Sequence, residues 1–178
     1  MKLLKTVRAD TSDTFVFDKA AGPGEWAISG ALLFANLDPA TLSGKPRAAF
    51  RSGFLGISSF GWSTLAQIVE VSEEQRSTAV EQLAARLVER CGAPDFATAR
   101  RAAEEEIAFA ASLCDHPPGI LIAVSRRYEN EAIRESFRTL QANSYARPAP
   151  VFSFVVVDEE AAPPENIDLV GLIDRARQ

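Results

Sequence analysis

"GILIAVSRRYENEAIRESFRTLQ", Gly119 to Gln141, decides how the second half of the chain is read, because its two ends carry different periodicities. Ile120 to Val124 is a continuous apolar run, too short for a helix of its own, and it predicts a central strand covered on both faces. From Asn130 to Gln141 the apolar residues Ile133, Phe137 and Leu140 fall at spacings of four and three, which predicts a helix over 131–141. "VFSFVVV", Val151 to Val157, then reads as another strand. Strand, helix and strand in that order predict a crossover unit, right-handed if the two strands are parallel neighbours. Between the first strand and the helix stands "SRRYENE", Ser125 to Glu131, at the strand end where open α/β sheets place ligands. Arg126 and Arg127 are candidates to grip an anionic group through charge-assisted hydrogen bonds, and Tyr128 offers a ring face or a hydroxyl. The competing reading is a solvated connection whose arginines pair with Glu129, Glu131 or Glu135.

Upstream of this stretch the signals are helical. Val80, Leu83, Ala84, Leu87, Val88 and Cys91 make one apolar face; Ser72 with Gln75 three residues on predicts a capping-box start, and Gly92 followed by Pro94 predicts the stop. A second helix runs from about Pro94 or Asp95 to Cys114, with Phe96, Ala99, Ala103, Ile107, Ala110 and Cys114 on its stripe. The short connection makes a helical hairpin, and the alanines let the second helix lie close to its neighbour or to a sheet. The first third reads as strands. "TFVFDKA" (Thr14 to Ala20) and "GEWAISGALLF" (Gly24 to Phe34) are joined by a turn, and "AAFRSGFLGI" (Ala48 to Ile57) and "STLAQIVEV" (Ser63 to Val71) flank "SSFGW" as a β-hairpin with Gly61 at positive φ. The tail over 159–178 reads as a Pro-rich linker and a short C-terminal helix. The fold expected is a single α+β domain over 1–178: a mainly antiparallel sheet of N-terminal hairpins plus two later strands, packed against the helical hairpin and one or two further helices.

Chain length and composition restrict the chemistry. At 178 residues, 47% apolar and 24% charged, the chain can bury one substantial core. A formal net charge of -5 argues against a nucleic-acid platform, which needs a basic face. No apolar run approaches the ~20 residues needed to cross a bilayer, so the expectation is a soluble, cytoplasmic protein without membrane contact. Two cysteines and one histidine support neither a disulfide framework nor a zinc site, and no metal or cofactor is expected. Cys114, Asp115 and His116 are consecutive, so their side chains diverge; with Pro117-Pro118-Gly119 they read as a helix end that launches a strand. No catalytic residue is assigned. "GPGEWA" (Gly22 to Ala27) matches G-x-G-x-x-A, but its proline removes an amide donor, Glu25 repels a pyrophosphate and a strand follows, so it reads as a turn.

Taken together, "DTFVFDKAAGPGEWAISGALLF", "AAFRSGFLGISSFGWSTL" and "AAEEEIAFAASLC" resemble, over most of the chain, a small bacterial family catalogued only as a domain of unknown function. The resemblance implies a compact bacterial cytoplasmic protein and carries no active-site motif. Scarcity of catalytic residue types favours a non-catalytic accessory or protein-interaction domain, a possible homodimer using exposed aromatics Phe60 and Trp62. The alternative is an enzyme or binding domain for a small anionic ligand at the Ser125 to Tyr128 loop.

Overall fold

The helical hairpin forms where its local signals place it. In the computed structural model, which describes residues 1–142 and 154–157, helix α3 spans Glu73–Cys91 and helix α4 spans Phe96–Ser112. (The shorter helices α1, Ser12–Val16, and α2, Gly44–Ser52, precede them.) The Ser72 side chain accepts from the Gln75 N–H while the Gln75 side chain accepts from the Ser72 N–H, and Gly92 ends the helix at φ 69°. Asp95 caps α4 by accepting from the Thr98 N–H. Val80, Leu83, Ala84 and Leu87 pack with Ala99, Ala103, Ile107 and Ala110 in the main core, whereas Val88, Cys91 and Phe96 lie outside it.

The hairpin covers an eight-stranded sheet made of β1 (Lys2–Val7), β2 (Trp26–Ile28), β3 (Phe54–Gly56), β4 (Gly61–Ser63), β5 (Leu65–Glu70), β6 (Leu121–Glu129), β7 (Ala132–Ala142) and β8 (Phe154–Val157). The strand order is β4-β3-β2-β1-β5-β6-β7-β8, antiparallel at every step. The α+β architecture with an antiparallel sheet thus stands, but several elements differ from the expectation.

The largest difference is at 131–141, which is strand β7 and no helix. Asn130 and Glu131 take φ values of 52° and 59° and form a two-residue turn whose twist suits a hairpin, so β6 and β7 pair directly and there is no crossover between them. The reason is a shared period. Ile133 and Phe137 are four apart, a spacing that lies on one face of a helix and equally on one face of a strand; the hairpin places them opposite Tyr128 and Val124. β6 itself is internal to the sheet, but its burial alternates: Ile122, Val124 and Arg126 are buried while Leu121, Ala123 and Ser125 are half-buried, so only one face is fully covered.

In the first third tertiary contacts override the strand-like composition. Ser12–Val16 forms α1 because the buried Asp13 carboxylate accepts from the Thr64 N–H and hydroxyl, pinning the turn to the sheet; Phe17 enters the core and Phe15 is 75% exposed. After β2, Gly30 at φ 80° turns the chain into a 3-10 helix at Ala31–Phe34. Ala48 to Ser52 belongs to α2, which ends at Gly53 before β3. β3 and β4 do form a hairpin, but Phe60 holds the positive φ, 56°, and Gly61 is required because a Cβ there would stand 2.7 Å from the Ala20 carbonyl oxygen. β5 separates from β4 to pair with β1 and β6, and β1, with Lys2 and Lys5 interrupting its apolar residues, was not expected as a strand. The linker and helix read over 159–178 lie outside the described residues, as does the start of the 151–157 strand.

Candidate functional site

The β6–β7 hairpin carries a charged group into the interior. Arg126 follows Val124 by two on the covered face of β6, so its side chain must point inward, and its exposure is 2%. Its Nε donates to Glu135 Oε1 at 2.6 Å, the residue directly opposite on β7. One terminal nitrogen donates to the carbonyls of Phe50 (3.0 Å), Gly53 (2.8 Å) and, more distantly, Ala49 (3.4 Å); the other donates to the Ser29 carbonyl. Ala49 and Phe50 belong to the last turn of α2, whose carbonyls carry the negative end of the helix dipole; the Ala49 carbonyl also accepts from the Gly53 N–H at 3.0 Å. Arg126 therefore ties β6, β7, the end of α2 and the exit of β2 together with one guanidinium. Burial lowers its affinity for the proton, and the Glu135 and Glu106 carboxylates act in the opposite direction.

Glu106, on α4, adds a second acid to this group. Burial first, then repulsion from Glu135 and Glu105, pushes its carboxyl up to about 7, with Arg126 opposing. Because the folded-state value lies above the unfolded one near ~4.3, the stabilisation belongs to the protonated acid. It is complete below about pH 4 and is lost as pH rises through 7. Glu106→Gln, which stays neutral, is expected to remove this slope: the wild type loses about 2 kcal/mol between pH 5 and pH 8 after allowance for partial exposure, and the variant does not. Urea unfolding of both proteins at the two pH values measures the difference, and equal slopes would refute the assignment.

A cleft of about 270 Å³ opens beside this group, lined by Pro39, Arg47, Phe50, Arg51, Arg127 and Tyr128, with Arg126 at its base. Arg47 and Arg51 are four apart on α2, hence neighbours on one helical face, and both are exposed. Neither makes an ion pair among the described residues. α2 reads GKPRAAFRS and contains three cations and no acid, so like charges adjoin without compensation. Arg127 has Glu129 at 4.0 Å and is 75% exposed; across the hairpin it faces Arg134 directly, another like-charge pair. Tyr128 is 45% exposed. The three residues expected to bind an anion thus adjoin one cleft, but Arg126 is its structural base, with donors committed to the protein, and Arg127 alternates to the opposite face of β6, so Tyr128 is the member whose side chain shares the covered face and stays accessible.

Arg47 and Arg51 were absent from the sequence reading because 48–57 was taken for a strand. A helix signal was there: Ser43 as N-cap, Pro46 in the first turn, Gly53 as C-cap and arginines at i and i+4.

The other singled-out residues serve the fold. Trp62 stacks on Phe34 at 5.5 Å between centroids, and Phe60 lies under Arg90 at 5.7 Å; both are half-buried against the core and are not the exposed pair expected, because Gly30 and Gly53 leave room for the Trp62 ring to sink inward. Cys114 is buried, its thiol donates to the Ala110 carbonyl at 3.3 Å, and burial pushes its pKa up to about 11, which keeps the thiolate scarce at neutral pH. The His116 carbonyl accepts from Lys2 Nζ at 2.8 Å, joining the α4–β6 connection to β1. Glu25 accepts from the N–H groups of Gly22 and Ser59 and from the Ser59 hydroxyl, so the GPGEWA segment is a clipped turn.

Residues 1–150 match the model of a protein family described as a family of unknown function (DUF6505). No curated protein and no solved structure matches the chain.

Proposed function

We propose, from the premise that the chain belongs to the DUF6505 family of unknown function, that it is a non-catalytic binding domain which takes up a small anionic ligand in the arginine cleft. The observation that carries this reading is an acidic protein with a concave site lined by Arg47, Arg51, Arg127 and Tyr128 and by no carboxylate among the described residues. Uncompensated like charges are unfavourable in the empty protein, so an anion relieves repulsion as well as gaining hydrogen bonds. In this reading the protein is a bacterial cytoplasmic accessory. Two free thiols suit a reducing compartment, and no described helix is long and apolar enough to cross a membrane.

Thermal unfolding in the presence of a panel of small anions (sulfate, phosphate, citrate, succinate and benzoate) tests the reading. At 100-fold excess over Kd a ligand adds about 2.7 kcal/mol, which for a chain of this size raises Tm by roughly 5–10 °C. The charge-reversed variant R47E/R51E, altered only at exposed positions, is expected to keep its circular dichroism spectrum and lose the ligand-induced shift. A shift that survives in R47E/R51E, or no shift with any anion, overturns the reading.

A further inference from the structure

We infer, resting on the cleft reading above, that the anionic group the cleft selects is a phosphate monoester whose attached ring packs on the cleft wall. Charge comes first. Arg126 is matched by Glu135 and by the carbonyls it bonds, and Arg127, on the opposite face of β6, has Glu129 at 4.0 Å, so the cations left for a ligand are Arg47 and Arg51. A monocarboxylate brings one charge to this set, whereas a phosphate monoester brings about -1.5 to -2 near neutral pH and three acceptor oxygens.

Geometry points the same way. Arg47 and Arg51 project from one face of α2, and Tyr128, two residues beyond Arg126, shares the covered face of β6, so two guanidinium groups and a ring wall meet in the cleft. A planar carboxylate meets the two guanidinium forks with two oxygens and one charge, while a tetrahedral phosphate brings a third oxygen and a second charge to the same pair. Arg126 makes the base of the cleft hospitable: by donating to the Ala49, Phe50 and Gly53 carbonyls it cancels the negative end of α2, which would otherwise repel an anion.

The cleft also offers a surface for what the phosphate is attached to. Pro39, Phe50 and the half-exposed ring of Tyr128 offer apolar wall. A flat ring joined to the phosphate packs on that wall.

Isothermal titration of the full chain with phenyl phosphate tests the inference, with inorganic phosphate, phenyl sulfate, benzoate and succinate as comparisons. Phenyl phosphate is expected to bind about tenfold tighter than phenyl sulfate (same ring, one charge), benzoate or succinate. Its affinity is expected to rise severalfold from pH 5 to pH 7 as the second phosphate proton leaves near ~6. R47Q/R51Q lowers that affinity about tenfold or more, R127Q, on the opposite face of β6, leaves it within about twofold, and Y128A weakens phenyl phosphate while sparing inorganic phosphate. If succinate, benzoate or phenyl sulfate binds as tightly as phenyl phosphate and R47Q/R51Q abolishes that binding, the phosphate inference falls and the anion cleft stands. If no probe binds, or if phenyl phosphate binds R47Q/R51Q as it binds the wild type, both fall.

Discussion

Arg126→Ala is expected to destabilise the protein by about 3–5 kcal/mol, because it strands a carboxylate and several carbonyls in the interior at once. Glu135, whose side chain is 15% exposed, loses the guanidinium it pairs with, and the carbonyls of Ser29, Phe50 and Gly53 lose that donor. Each buried acceptor left without a donor costs on the order of 1–3 kcal/mol, and the truncated side chain leaves a void beside Phe50. For a chain of 178 residues the midpoint of thermal unfolding falls by roughly 10 °C or more, at ~2–4 °C per kcal/mol. The series around it separates the causes. Arg126→Lys keeps the charge but not the planar fork, so it cannot serve Glu135 and both groups of carbonyls together and falls between wild type and alanine. The double variant R126M/E135L removes the unpaired charge and is expected to recover much of the loss suffered by R126A. Urea unfolding of the four proteins is the measurement; a loss below about 1 kcal/mol in R126A would show that the guanidinium is not holding these elements together.

Gly30→Ala is expected to cost about 3 kcal/mol, from two sources of similar size. The residue sits at φ 80°, where a side chain brings about 1–2 kcal/mol of strain. A Cβ there would stand 2.7 Å from a Trp62 ring carbon and 2.9 Å from the Leu55 Cβ. The ring has no retreat: it stacks on Phe34, and Gly53 approaches it so closely that a Cβ on that glycine would also lie 2.7 Å away. Overpacking of this kind costs a further ~1–3 kcal/mol. Gly92→Ala is the matched control, since Gly92 has φ 69° with nothing within 4 Å of its added Cβ and suffers only the strain. Chemical unfolding of the two variants decides the matter: if G30A loses no more stability than G92A, the Trp62 contact is not the constraint described.

Local chemistry made part of this protein readable. The α3 start rests on Ser72 and Gln75, its stop on Gly92 and the α4 start on Asp95, all satisfied by partners within a few residues, so the helical hairpin follows from short-range hydrogen bonds and an apolar stripe. The membership of a family of unknown function was legible too, from the texture of three stretches. The cleft residues were only half legible. Arg127 and Tyr128 stood out as charge and ring at the end of a strand, whereas Arg47 and Arg51 were hidden by assigning their neighbours to a strand instead of α2.

The amino-acid order was sufficient for the helical pair, the presence of a strand over the apolar run near 120–124 and the α+β class, because each depends on periodicity and caps within one segment; it did not show that this strand runs on to Glu129 with one covered face. It was insufficient wherever two periods coincide or a distant partner arbitrates. Ile133 and Phe137 suit a helix or a strand equally; pairing with β6 through the Asn130-Glu131 turn selects the strand. Thr14 to Phe17 has a strand's composition, and Thr64, some fifty residues away, holds Asp13 in a helical turn instead. Arg126 differs most between the two views. Beside Arg127 in the chain it looks like a second surface cation, but the two-residue alternation of β6 and the carbonyls brought to it by α2 and β2 turn it inward, while Arg127 turns to the opposite, exposed face.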